Sequence, residues 1–161
     1  MVSRRLLAAG VLFSILPDSD VYLQMVTTSV GHRGVTHSLL FAALCALLAA
    51  LMARLLGTKA TTAFVFVFIA AASHGLLDMF TNGGGGISYF WPFDPHRYFM
   101  PWRVIEVSPL GIAPFFSPRG LSVLGSELKW VWLPAIVFTA IVHEWRTTFA
   151  GRGRRTGAGV Q

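Results

Sequence analysis

His74-Gly75-Leu76-Leu77-Asp78 places an imidazole and a carboxylate four residues apart, which on a helix is one face and about one turn. Both side chains can then reach one ion. Leu16-Pro17-Asp18-Ser19-Asp20 adds two carboxylates just past an apolar run, because the residue before a proline disfavours helical geometry. Gly31-His32-Arg33-Gly34-Val35-Thr36-His37-Ser38 packs two imidazoles and a guanidinium between glycines at a helix start, where free N–H groups and the helix dipole favour anions. Arg33 offers a forked partner for phosphate or carboxylate. Each motif also has a plainer reading: a His–Asp hydrogen bond tying two helices together, a turn with a cap, or a basic loop on lipid headgroups. Taken together they put two or more imidazoles among three or four carboxylates, a set that suits a borderline divalent ion such as Zn, Mn or Fe. The single cysteine, Cys45, lies in an apolar run, so a thiolate-built structural zinc site and an internal disulfide framework are both excluded within one chain.

Helix ends must position these groups. Of the 161 residues 54% are hydrophobic and 12% charged, and the mean hydropathy is +0.61, against about 25% charged residues in a soluble domain. Lipid is the implied solvent. Three segments approach the roughly 20 apolar residues that cross a bilayer: Val35 to Leu56, Ala60 to Phe80 and about Leu128 to Thr148. Leu6 to Leu16 is apolar but shorter, and we read it as a retained helix rather than a signal peptide, since Pro17-Asp18-Ser19-Asp20 replaces a small-residue cleavage site. The fold expected is all-α, a polytopic membrane bundle of about four helices with one long extracytoplasmic loop, Thr81 to Glu127. Residues 1–150 are read as one membrane-embedded domain and 151–161 as a basic, disordered cytoplasmic tail.

Ionisable groups beside membrane segments are costly and point to function. Asp18, Asp20, His32, Arg33, His37, His74, Asp78 and Glu127 all fall at segment ends on one side of the expected bundle. Asp94 and His96, between prolines, read as a turn or as support behind the cluster, and His143 and Glu144 as snorkelling groups at the opposite membrane face. The formal charge of +6 does not signal nucleic acid, because the basic residues sit at segment ends and not along one polar face. Eight of the thirteen Lys and Arg, namely Arg4, Arg5, Arg54, Lys59, Arg146, Arg152, Arg154 and Arg155, share one side, and Arg33, Arg97, Arg103, Arg119 and Lys129 share the other. The positive-inside tendency then puts both termini in the cytoplasm and the polar cluster outside. Trp91, Trp102, Trp130 and Trp132 stand where an aromatic belt would meet headgroups, or simply pack the loop.

Leu16-Pro17-Asp18-Ser19-Asp20, Gly31 to Ser38, Ser73 to Asp78 with Thr81 and Gly83, and Trp91-Pro92-Phe93 occur in an order that resembles the LexA-regulated, inner-membrane metal-dependent hydrolase family of bacteria. The resemblance covers Leu6 to Phe93, and Val107-Ser108-Pro109-Leu110 with Ser126-Glu127-Leu128 looks like the C-terminal part of some members. It implies a metal-dependent hydrolase in which Asp18, Asp20, His32, His37, His74 and Asp78 match the family's polar positions. A more distant similarity to zinc-dependent phospholipase C and P1-type nucleases implies phosphoester substrates. Members usually begin with a further helix bearing a His, whereas no His precedes His32 here, a departure that would shorten the ligand set or mark a missing segment.

The function expected is metal-assisted hydrolysis of a phosphoester or lipid-linked substrate at the membrane surface. Asp18, His37, His74 and Asp78 are the principal expected ligands, His32 and Asp20 serve a second ion or act as general base, and Arg33 holds the substrate's anionic group. Zn is the favoured ion, with Mn or Fe as alternatives; membrane lipid is the expected partner, no nucleic acid is expected, and oligomeric state is left open. A non-enzymatic ion or metal transporter is the rival, but a relay needs polar groups spread in depth, and the expected helices are bare of ionisable residues between their ends. A scaffold whose polar patch only fixes helix packing is the third reading.

Overall fold

A computed structural model describes residues 2–21, 33–109 and 112–156. Helix α1 spans Arg4–Ile15, α2 Leu39–Leu51, α3 Ala60–Asp78, α4 Ile112–Phe115, α5 Pro118–Glu127 and α6 Leu133–Thr156. A 3-10 turn, Leu16–Ser19, follows α1, another, Val35–His37, precedes α2, and a π-helical turn, Leu128–Trp132, joins α5 to α6. Extended pairing among the described residues is confined to isolated bridge positions, such as the antiparallel pairing of Ile87 with Tyr98, with no strand of several residues, so the all-helical class is met.

Contacts group the chain into two compact units, Met1–Arg103 and Val104–Gln161, where the sequence suggests one over 1–150. In the first unit α3 packs on both α1 and α2. Leu6, Cys45, Ala46, Ala49, Ala53, Ala63 and Val67 form its core. Small side chains dominate this seam because lipid gives apolar helices no reason to associate, and only close backbone approach gains enough packing. Gly10 shows how close: a Cβ there would stand 2.5 Å from the Phe66 ring. Ser3 caps α1, its Oγ accepting from the Leu6 N–H at 3.0 Å and donating to the Leu56 carbonyl. That link fastens the start of α1 to the α2–α3 turn and sends the end of α1 toward the opposite pole.

Several boundaries differ from those expected. Val35 to Leu56 is not one helix: Ser38 is extended and caps α2, accepting from the Phe41 N–H at 3.1 Å, so His37 stays in the preceding turn and is free of helical register. Leu16 keeps helical dihedrals before Pro17, and the chain tightens into a 3-10 turn instead of leaving the helix. In the second unit the helix begins at Pro118, ten residues before Leu128, because proline suits a first-turn position where its missing N–H costs nothing. It also continues to Thr156, into the stretch expected as a disordered tail, since that stretch has no proline and its arginines are good helix formers.

Ala60–Asp78 and Pro118–Thr148 are long and apolar enough to cross a membrane, with mean hydropathies of 1.8 and 1.3. The first rises about 28 Å, close to the hydrocarbon thickness. Leu39–Leu51 is apolar but shorter than that criterion. Exposed apolar side chains cover both units, including Leu44, Leu47 and Leu48 on α2 and Ile136, Val137, Phe138 and Ile141 on α6. In water such a surface would aggregate; in lipid it is the ordinary exterior.

Candidate metal centre

The end of α1, the start of α2 and the end of α3 meet at one pole of the first unit. Four side chains converge there: Asp18 from the 3-10 turn after α1, His37 from the turn before α2, and His74 and Asp78 from the last turn of α3. One donor atom from each lies within 4.8 Å of every other. Asp18 Oδ1 stands 3.5 Å from His37 Nε2 and 3.3 Å from His74 Nε2, and Asp78 Oδ2 stands 3.4 Å from His37 Nε2. The two imidazole rings are 5.0 Å apart, centroid to centroid.

Gly75 makes this meeting possible. A Cβ at that position would come 2.6 Å from the His37 carbonyl oxygen and 3.2 Å from the Tyr89 ring. Only a glycine lets the His37 backbone lie directly on α3, beside its two polar neighbours. The glycine falls between them in sequence because His74 and Asp78 flank the same helical face.

Around the four stands a layer of groups that hold them. Asp20 is fully buried, and its Oδ2 accepts from the Arg33 backbone N–H at 3.0 Å and the Thr36 hydroxyl at 2.8 Å, 3.4 Å from His37 Nδ1. A carboxylate behind one ring nitrogen fixes the orientation and tautomer of an imidazole and leaves the other nitrogen pointing at the site. Asp20 was expected as a ligand or general base; the structure places it behind His37. Arg33 is also buried, and it adopts a left-handed φ of 64° that carries its side chain back under the cluster. Its Nε pairs with Asp78 Oδ2 at 3.2 Å, while one terminal nitrogen donates to Thr81 Oγ1 and to the Gly83 carbonyl, each at 2.8 Å. The guanidinium expected to bind a substrate anion is thus engaged with Asp78. Gly84, at φ 84°, leaves it room.

Charge in the cluster follows from this packing. Burial alone would favour a neutral His37, but Asp18, Asp20 and Asp78 outweigh it and push its pKa up to about 10. Burial would raise Asp18, yet hydrogen bonds to His37 and His74 hold its carboxyl far below the usual range. An ion bound here would have to displace that proton, since imidazole ligates metal only in its neutral form. The donor set is of the right kind for one: two imidazoles, two carboxylates and no thiolate. His74 Nε2 is buried, with the Asp18 carboxylate 3.3 Å away.

Other expected residues lie elsewhere. His32 is outside the described residues. Glu127 belongs to the second unit. Asp94 and His96 pair with each other, His96 Nδ1 standing 2.6 Å from Asp94 Oδ1, in an exposed turn. His143 and Glu144 are exposed on α6. Thr36 and Thr81, which the sequence shows only as members of their motifs, are supports in the structure: Thr36 Oγ1 donates to Asp20 and Thr81 Oγ1 accepts from Arg33. Nothing local marks them, because the charged groups they contact, Asp20 and Arg33, stand 16 and 48 residues away along the chain.

Comparison with known proteins gives a consistent setting. Residues 2–149 match the profile described as YdjM inner membrane protein. The chain is similar to the protein named Inner membrane protein YbcI of Escherichia coli (strain K12), 37% identical over 151 residues that cover 91% of this chain and 87% of that one. No solved structure matches.

Proposed function

The chain belongs to the YdjM inner membrane protein family, and we propose that its polar cluster lies at the edge of the bilayer and makes it a metal-dependent hydrolase acting on phosphoester or lipid-linked substrates at the membrane surface. One observation carries this reading: two imidazole nitrogens and two carboxylate oxygens from three converging helix ends lie within 4.8 Å of one another.

Asp18, His37, His74 and Asp78 are the holders of the ion, zinc being favoured by the two imidazoles and manganese or iron being alternatives. A bound divalent ion supplies a water of lowered pKa and polarises the oxygen of the bond to be cut. Asp20 and Thr36 keep the His37 ring turned toward the ion, and Arg33 holds Asp78 against rotation while offsetting its charge. Asp18 is the open edge, with 53% of its side chain exposed, so substrate approaches past it and a proton leaves there. The count of basic residues favours cytoplasmic termini and an extracytoplasmic site, and with Arg33 paired inside the cluster the charge difference between the two sides widens.

The test is metal content by mass spectrometry of detergent-purified protein. Near-stoichiometric zinc or manganese in the wild type, lost in His74→Ala and in Asp78→Ala, is expected. A well-folded wild type that takes up no metal even after reconstitution would sink the hydrolase and leave a polar patch that only joins helices.

A further inference from the structure

A groove of about 440 Å³ runs between α1 and α3, lined by Leu7, Ala8, Val11 and Ser14 on one wall, Phe66, Ala70 and Ser73 on the other, and Gly10 at its floor. Leu7, Val11 and Ser14 follow one face of α1, and Phe66, Ala70 and Ser73 follow one face of α3. Each set advances about 10 Å along its helix. Both helices run toward the polar pole, so the groove does too. Its only hydroxyls, on Ser14 and Ser73, are already spent on their own helices, donating to the Val11 and Ala70 carbonyls at 2.9 Å each. The walls therefore ask for nothing polar along their length.

Beyond the last lining residues, Ser14 and Ser73, both helices lead to the cluster. His74 directly follows Ser73, and Asp18 lies one turn beyond Ser14. These two residues meet at 3.3 Å across the end of the groove. At the other end Leu7 and Val11 are half-exposed or more, on a protein whose solvent is lipid.

From this continuity of an apolar trough with a cationic-ion site we infer that the groove seats one acyl chain of an anionic phospholipid, whose phosphoester is thereby delivered to the cluster. The inference rests on the hydrolase reading for what happens at the cluster, but the groove is built from different residues and can be tested apart from it. A chain laid along α1 and α3 stays within the hydrocarbon, and its headgroup emerges where the helices end. Substrate selection then depends on having both parts: chain for the groove and phosphate for the pole.

The full-length protein is reconstituted in bilayer nanodiscs holding a trace of phosphatidylglycerol with a diazirine midway along one acyl chain. Photo-crosslinks are mapped by peptide mass spectrometry, and zinc is measured on the same samples. Crosslinks are expected on Leu7 to Ser14 and Phe66 to Ser73, suppressed by unlabelled phosphatidylglycerol but not by diacylglycerol with the same chains. Ala8→Leu and Ala70→Leu, which fill the groove from opposite walls, should each remove the groove crosslinks, because the space that the chain packs into is gone, with zinc unchanged. Crosslinks spread evenly over α2 and α6, or surviving both substitutions, would overturn the inference. So would an unlabelled groove, which would mean that another helix or a second copy covers it. If wild type holds no zinc while the groove still labels and competes as described, the hydrolase falls and the lipid site stands; zinc without groove labelling gives the reverse.

Discussion

Two histidine–aspartate pairings in the first unit use the same chemistry to different ends. At the pole, His37 has a wholly buried side chain among Asp18, Asp20 and Asp78. In the loop, the His96 side chain is 80% exposed and meets Asp94, two residues away. The loop pair is local: the turn that makes it also satisfies it, with the His96 N–H donating to Asp94 Oδ1 at 2.8 Å. The polar cluster draws on three separate stretches of chain, and the helices that bring those together also bury them. Distance along the chain, rather than residue type, separates a turn from a site, because groups close in sequence can satisfy one another without leaving a donor for anything else.

The hardest blow to that contrast is His37→Ala set beside His96→Ala. Removing His37 takes the imidazole from beside the fully buried Asp20, while Asp78 keeps Arg33 and Asp18 keeps His74, and breaking a buried pair in this way costs about 3–5 kcal/mol. Metal uptake should be lost with it. His96→Ala, on the surface, should stay within about 0.5 kcal/mol of wild type and keep its metal. Unfolding in mild detergent, followed by helical signal and by metal release, compares the two. Equal effects would mean that the pole is no more a site than the loop.

Supports should matter less than ligands. Asp20→Asn keeps the size of the side chain but removes the charge behind His37, and changes of this kind weaken metal affinity about 10–100-fold. Competition with a chelator measures it. An affinity equal to wild type would show that Thr36 and packing alone orient the ring. Gly75→Ala should reach the site through the backbone: the added Cβ, 2.6 Å from the His37 carbonyl, must push that turn off α3. Overpacking of this kind costs about 1–3 kcal/mol, read as a lower midpoint of thermal unfolding. Metal binding should weaken without vanishing, since all four donors remain.

How much of this the sequence reveals depends on the kind of structure involved. That Asp18, His37, His74 and Asp78 gather at one pole is legible, because each sits where an apolar run ends and the runs alternate in direction. The employment of Arg33 is not. Its pairing with Asp78 depends on a left-handed backbone at a residue that is not glycine and on the room left by Gly84, and neither has a pattern in the sequence. Ser38 is a near miss: Ser is a common helix cap, but embedded in an apolar run it reads as one more tolerated residue. The early start of α5 was signalled by Ser117-Pro118 and hidden by Gly120 and Gly125, which make the stretch look like loop. Pattern reading follows the solvent preference of a segment, and these departures are set by single backbone contacts.

The smallest effect expected sharpens the comparison from the loop side. Asp94 accepts from the Tyr98 hydroxyl, and that bond, more than the backbone and ring contacts from His96, holds its carboxyl down to about 2, against an ordinary 3.8. A depressed carboxyl contributes stability that is present above pH 3.8 and lost as pH falls through about 2. The same carboxylate pushes the Tyr98 phenol upward. Asp94→Asn should therefore bring the Tyr98 titration down toward the ordinary value of about 10, seen as an ultraviolet difference titration with Tyr98→Phe as control. Metal content should not change, because no group at the pole touches this pair. A shift in the phenol with metal intact keeps the loop a local turn. Metal lost in Asp94→Asn would join the two regions and end the contrast between them.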